Sequence, residues 1–113
     1  MKPDEAYARV RKHCLAKHGA VEEYPWDDVA WKVRKKLFAV SSDGSHRVTV
    51  KSTLEEQSRL IEHPAIEIAS YVGRYGWVTI AITSRETCQL ALELIDASYE
   101  RVAASRSKAK KQR

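Results

Sequence analysis

The residues of this chain best suited to chemistry are two cysteines, four histidines and the carboxylates around Trp26. Cys14 and His18 stand four residues apart, which puts both on one face of a helix and would suit two ligands of a metal ion. No third ligand falls at a suitable spacing, so a metal site is not expected there. Cys14 and Cys88 each lie on the apolar stripe of a predicted helix and are read as buried free thiols, since free cysteine packs as a small hydrophobe. Nothing in the sequence points to export, so a disulfide is not expected. Glu22-Glu23 and Asp27-Asp28 straddle Tyr24-Pro25-Trp26. Such carboxylates can hold a hard cation weakly, but a solvated loop is the reading adopted. Nucleophilic catalysis needs an activated side chain beside a base. There is no Gly-x-Ser-x-Gly elbow, and His13, His18, His46 and His63 all fall at polar or boundary positions. The expectation is a protein that is not an enzyme, with no cofactor, no metal and no small-molecule substrate.

Charge points to a polyanion only after it is divided. The 113 residues carry a net +5. Residues 1–100 have a net −1, and residues 101–113 have a net +6 with no acid. The basic excess therefore belongs to the end of the last helix and a tail. Residues 1–104 are expected to form one domain, and 105–113 a disordered basic tail, either solubilising or a nucleic-acid-binding arm. No apolar run approaches the length of a membrane span, and the N-terminus has no apolar signal region. A cytoplasmic protein is expected.

The elements that must position these groups follow from hydrophobic period. Tyr7, Val10 and Cys14, with Leu15 widening the stripe, predict a helix from about Asp4 to Lys17, ended by Gly19. Residues 21–51 read as strands. Val29, Trp31 and Val33 alternate, placing Trp31 in the core, and Leu37 to Val40 form a continuous apolar run. Arg34-Lys35 between them predicts a tight hairpin turn, although such turns favour glycine or asparagine at positive φ. Ser42-Asp43-Gly44-Ser45 is a clearer turn, and Val48 and Val50 mark another strand. Overlapping capping patterns at Ser52 and Thr53 start a short helix with Leu54, Ser58 and Ile61 on one side, ended at His63-Pro64. Ile66 to Gly73 reads as irregular or briefly extended. Gly73-Arg74-Tyr75-Gly76 has the length of a KH-type backbone clamp but reads more simply as a loop with two φ-permissive ends. Trp77 to Ile82 is a strand. Thr83 and Glu86 open a last helix from about Ser84 to Ala104, on which Cys88, Ala91, Leu92, Ile95, Tyr99 and Val102 form the stripe. The order predicts an α+β two-layer sandwich with a mostly antiparallel sheet and N- and C-terminal helices.

The chain resembles the MmcQ/YjbR family of small bacterial proteins. The likeness rests on Val21-Glu22-Glu23-Tyr24-Pro25-Trp26, Ala30-Trp31-Lys32-Val33 and Lys36-Leu37-Phe38-Ala39. It continues through Val48-Thr49-Val50-Lys51, Pro64 to Tyr71, Gly73-Arg74-Tyr75-Gly76-Trp77-Val78-Thr79 and Leu94-Ile95-Asp96-x-Ser98-Tyr99. Arg34-Lys35 stands where the family usually has glycines. The resemblance implies a CyaY-like fold and a DNA-binding role through a "double wing" of β-hairpins. The frataxin-like fold also raises iron binding, but frataxins use an acidic first helix, whereas this one carries Arg9, Arg11, Lys12 and Lys17 against Asp4 and Glu5.

Two functions are therefore carried forward. One is non-catalytic DNA binding of low sequence specificity. It would use Arg34, Lys35 and Lys36 at a hairpin tip, Arg47 and Lys51 on the neighbouring strand, Arg74 in the glycine-bracketed loop, and Lys108, Lys110, Lys111 and Arg113 in the tail. The other is a protein- or peptide-binding adaptor with Trp26, Tyr75 and Trp77 as an aromatic anchor patch. A large aromatic in a loop can also simply cover the end of a sheet.

Overall fold

Pro3 at the start of the first helix, Asp4 and Glu5 in its first turn, and Lys12 and His13 in its last complement the helix dipole. In a computed structural model, which describes residues 1–111 and the side chains of 1–104, this helix (α1) spans Pro3–Leu15. Strands follow at Ala20–Glu23 (β1), Asp28–Val33 (β2), Lys36–Ser42 (β3) and Arg47–Val50 (β4). Next come Leu54–Leu60 (α2), Ile66–Ile68 (β5), a 3-10 turn at Gly73–Tyr75, Val78–Ala81 (β6) and Arg85–Lys111 (α3). The strands form one antiparallel sheet in the order β1-β2-β3-β4-β6-β5. α3 runs to Lys111, past the expected helix end near Ala104, and the side chains of the expected tail, 105–113, lie outside those described.

α1 and α3 cover one face of the sheet. Ala6, Val10 and Cys14 from α1 and Cys88, Ala91, Ile95 and Val102 from α3 pack on the inward residues of the strands. The inward sets read from the sequence hold: Val29, Trp31 and Val33, then Val48 and Val50, then Val78, Ile80 and Ile82 are all buried, although Ala30 and Thr79 between them are buried as well. Burial pushes the Cys14 thiol well above its ordinary range, as suits an unreactive free cysteine. Leu15 departs from expectation. It is 39% exposed, and Ala6 completes the α1 stripe instead.

β3 is irregular where it matters most. Trp31 faces Ala39 and Lys32 faces Leu37, so Phe38 is an extra residue in the ladder. A bulge of this kind lets successive residues face the same way, and Phe38 and Ala39 are both fully buried. The Phe38 carbonyl accepts a hydrogen bond from Ser98 Oγ at 2.7 Å, and the same Oγ accepts from the Lys51 amide at 3.0 Å. One buried hydroxyl on α3 thus ties the bulge to the end of β4.

Val33 pairs with Lys36, which leaves Arg34 and Lys35 as a two-residue hairpin turn. Their φ angles of 53° and 70° are both positive, as a type I′ turn requires. The expected turn is present, held by two side chains that disfavour its geometry.

α2 is capped by Thr53, whose Oγ1 accepts from the Glu56 amide at 3.1 Å. Its expected apolar side is not a buried side: Leu54 is 57% exposed and Ile61 37%. The helix buries Gln57, whose Nε2 donates to the carbonyls of Gly73 at 2.8 Å and Trp77 at 2.9 Å. A seven-residue helix over a loop has backbone carbonyls to satisfy rather than a core to fill. The two glycines of this loop serve different needs. Gly76 has φ +99°, and a Cβ there would lie within 2.9 Å of the Ser52–Leu54 backbone. Gly73 does not have positive φ, contrary to expectation. It is needed because a Cβ would come within 2.4 Å of Ile68 Cγ2.

Candidate nucleic-acid interface

Strand register sorts the candidate cations between the two ends of the sheet. The β2–β3 turn places Arg34, Lys35 and Lys36 at one end. Val50 pairs with both Ala39 and Val78, so Lys51, just past β4, and the Gly73–Tyr75 turn leading into β6 lie at that end too. Lys51 is level with the bulge at Phe38. Three residues separate that level from the turn, so the turn projects about 10 Å further. Arg34, Lys35 and Lys36 are exposed and make no ion pair among the described residues. Arg74 is exposed and lies 5.0 Å over the ring of Tyr75. α3 crosses the same end, where Arg101 reaches the Lys51 carbonyl at 3.4 Å. Glu55 and Glu56, in the first turn of α2, are the counterweight, with Glu56 3.8 Å from both Arg59 and Arg101.

Arg47 is not part of this group. It begins β4 at the other end of the sheet and pairs with Glu67 of β5. The side chains of Lys108, Lys110, Lys111 and Arg113 lie outside those described. The aromatic trio is not brought together either. Trp77 is 8% exposed, Tyr75 is 59% exposed at the hairpin end, and Trp26 is 97% exposed at the far end, between β1 and β2.

Glu22 is the polar centre that sequence reading missed. Glu22-Glu23 reads as a solvated loop but forms β1, with Glu22 opposite Trp31. Arg11 donates to its two oxygens at 2.9 and 3.0 Å, Trp31 Nε1 donates at 2.9 Å, and the Tyr24 hydroxyl also donates. Glu23 pairs with Lys32 at 2.9 Å. The only sequence signal for Glu22 would be the register that sets it across from Trp31, and that requires β1 to be recognised as a strand.

These donors, the Arg11 hydrogen bonds foremost, lower the Glu22 carboxyl from 4.5 to about 2. A group whose folded value is depressed stabilises the fold above its unfolded value and stops doing so as pH falls through the folded one. The stability gap between the native protein and Glu22→Gln is therefore expected to be constant from neutral pH down to about 5. It should then narrow as pH falls toward 2. Urea midpoints at a series of pH values measure this, and a gap independent of pH would refute the role assigned to Glu22.

The fold places the chain among small α+β sandwiches in which two helices cover one face of an open antiparallel sheet. The YjbR family model matches residues 15–101, and the chain belongs to that family. It is similar to the Deinococcus radiodurans protein DR2400, which carries a DUF419 domain, at 22% identity and a TM-score of 0.72. That match covers 86% of this chain and 78% of the other. A protein from Pseudomonas syringae, structural genomics target PsR293, is similar at 16% identity and a TM-score of 0.66, over 84% of this chain and 97% of that one. At such identities the likeness concerns the fold. No curated protein matches the chain. Among the described residues, no helix is long and apolar enough to cross a membrane.

Proposed function

We propose that this YjbR-family protein binds DNA without catalysis, gripping the phosphate backbone with the hairpin end of its sheet. The observation that carries the reading is the β2–β3 turn, where Arg34, Lys35 and Lys36 stand adjacent, exposed and without ion pairs among the described residues. Their mutual repulsion is relieved by a polyanion, and Lys51 and Arg74 support them from the same end of the sheet. The basic run after Ala104 adds charge attraction that reads no sequence. Phosphate contacts of this kind orient a protein but read no bases. α1 and α3 both pack against the sheet, so neither is a free recognition helix. Binding is accordingly of low sequence specificity.

Trp26, Tyr75 and Trp77 form no common surface, so as a trio they do not support the adaptor reading. Titration of duplex DNA at several salt concentrations tests the proposal. Each phosphate neutralised contributes about 0.9 to the slope of log K against log salt. Replacing Arg34, Lys35 and Lys36 together with serine should lower that slope by up to about 3. An unchanged slope, with binding lost only on neutralising Arg106, Lys108, Lys110, Lys111 and Arg113, would assign all affinity to the terminus.

A further inference from the structure

The far end of the sheet has the opposite chemistry. Tyr7, Tyr24 and Trp26 stand around a cleft of about 410 Å³, with Asp27, Asp28 and Asp43 also lining it. It lies between α1, the β1–β2 connection and the β3–β4 turn. Trp26 is 97% exposed and Tyr24 64%, so large ring surfaces face water. Trp26 also holds φ at 56°, an outlying conformation for a bulky residue. Arg11 lines the cleft too, but its guanidinium is held by both oxygens of Glu22 and does not offset the aspartates. Asp27, Asp28 and Asp43 have no ion-pair partner among the described residues.

The spacing of the charge chooses the ligand. Among the described residues, no group of three or more His, Cys, Asp or Glu side chains converges closely enough to hold a metal ion. Three aspartates unpaired among the described residues and two exposed rings line the same cleft, which suits a cation that is itself broad and flat. A guanidinium stacks on ring faces while its edge donates in parallel to a carboxylate, whereas an ammonium is a compact, strongly hydrated point charge. We propose that this cleft docks an arginine side chain presented by a basic peptide segment of a partner protein. Trp26 and Tyr24 supply the stacking surface, and Asp27, Asp28 and Asp43 the charge. This site is separate from the hairpin end and does not depend on DNA binding.

Tryptophan fluorescence reads the site, because Trp31 and Trp77 are buried and Trp26 is in water. The full chain would be titrated with an acetylated, amidated Gly-Ser-Arg-Ser-Gly peptide and with the same peptide carrying citrulline, which has nearly the same shape without the charge. The expected result is a saturable change with the arginine peptide and binding at least about tenfold weaker with citrulline, a difference of about 1.4 kcal/mol. Asp27→Asn with Asp43→Asn should weaken the arginine peptide by a similar factor. The Arg34, Lys35 and Lys36 serine variant should bind it unchanged. Equal affinity for the two peptides, or no saturable signal at millimolar arginine peptide, overturns the proposal. So does a lysine peptide or tetramethylammonium binding as tightly as the arginine peptide. The citrulline comparison uses the unaltered protein and stands even where the double variant fails to fold.

Discussion

Trp31→Ala is expected to lower the unfolding free energy by about 3–5 kcal/mol, the range for removing a fully buried large aromatic. Trp31 is 0% exposed at the centre of β2, with the ring of Tyr7 6.4 Å away and its indole N–H given to Glu22. Truncation would open a cavity between α1 and the sheet and remove one donor from a carboxylate that stays ionised because of its donors. Trp26→Ala is the matched control: the same change of side chain in the β1–β2 connection, at a residue 97% exposed, should leave the urea midpoint nearly where it was. Similar midpoint shifts for the two variants would refute the placement of both.

Ser98→Ala removes a single oxygen, yet its expected effect comes close to that of losing a large side chain. The hydroxyl is fully buried and bridges the Phe38 carbonyl and the Lys51 amide. Leaving a buried backbone group unpaired costs about 1–3 kcal/mol; the buried Phe38 carbonyl is left so, and the half-buried Lys51 amide adds a smaller share. The expected loss is about 2–4 kcal/mol, with faster hydrogen exchange at the Lys51 amide as a local signature. Ser58→Ala provides the comparison, since Ser58 Oγ donates only to the Leu54 carbonyl one turn back on an exposed helix. A Ser98 variant as stable as the Ser58 variant would show that the bulge does not need its tie.

What the sequence made legible is what depends on neighbours along the chain. The two-residue periods of β2, β4 and β6, the three-and-four spacing of α3, the start of α2 at Ser52-Thr53 and the Ser42–Ser45 turn are local patterns; each element is found there, although α3 runs past Ala104 and only Thr53 of the two candidates caps α2. What was not legible depends on partners set by pairing. Phe38 is the extra residue of β3 only with respect to β2. Gln57 is buried because two loop carbonyls face it, and Leu54 and Ile61 are left out because nothing apolar does. The candidate site divides the same way. The turn at Arg34-Lys35 could be read directly, but its gathering with Lys51 and Arg74 could not, because β6 pairs between β4 and β5 out of chain order. Arg47 looks equivalent to Lys51 on one short strand, yet a strand has two ends and the two residues are at opposite ones.

In the proposed DNA-binding role, the left-handed backbone at Arg34 and Lys35 sets thermal tolerance against ligand capture. Each non-glycine residue in that conformation carries about 1–2 kcal/mol of steric penalty, which an Asn-Gly turn would release. The replacement that best relaxes this loop also deletes two of the three charges at its tip. Selection for growth at higher temperature would therefore favour the residues that weaken binding, and selection for binding would keep a turn that the backbone itself resists. A homologue with a relaxed glycine turn is expected to carry its cations elsewhere, on the strand ends that the turn leaves exposed.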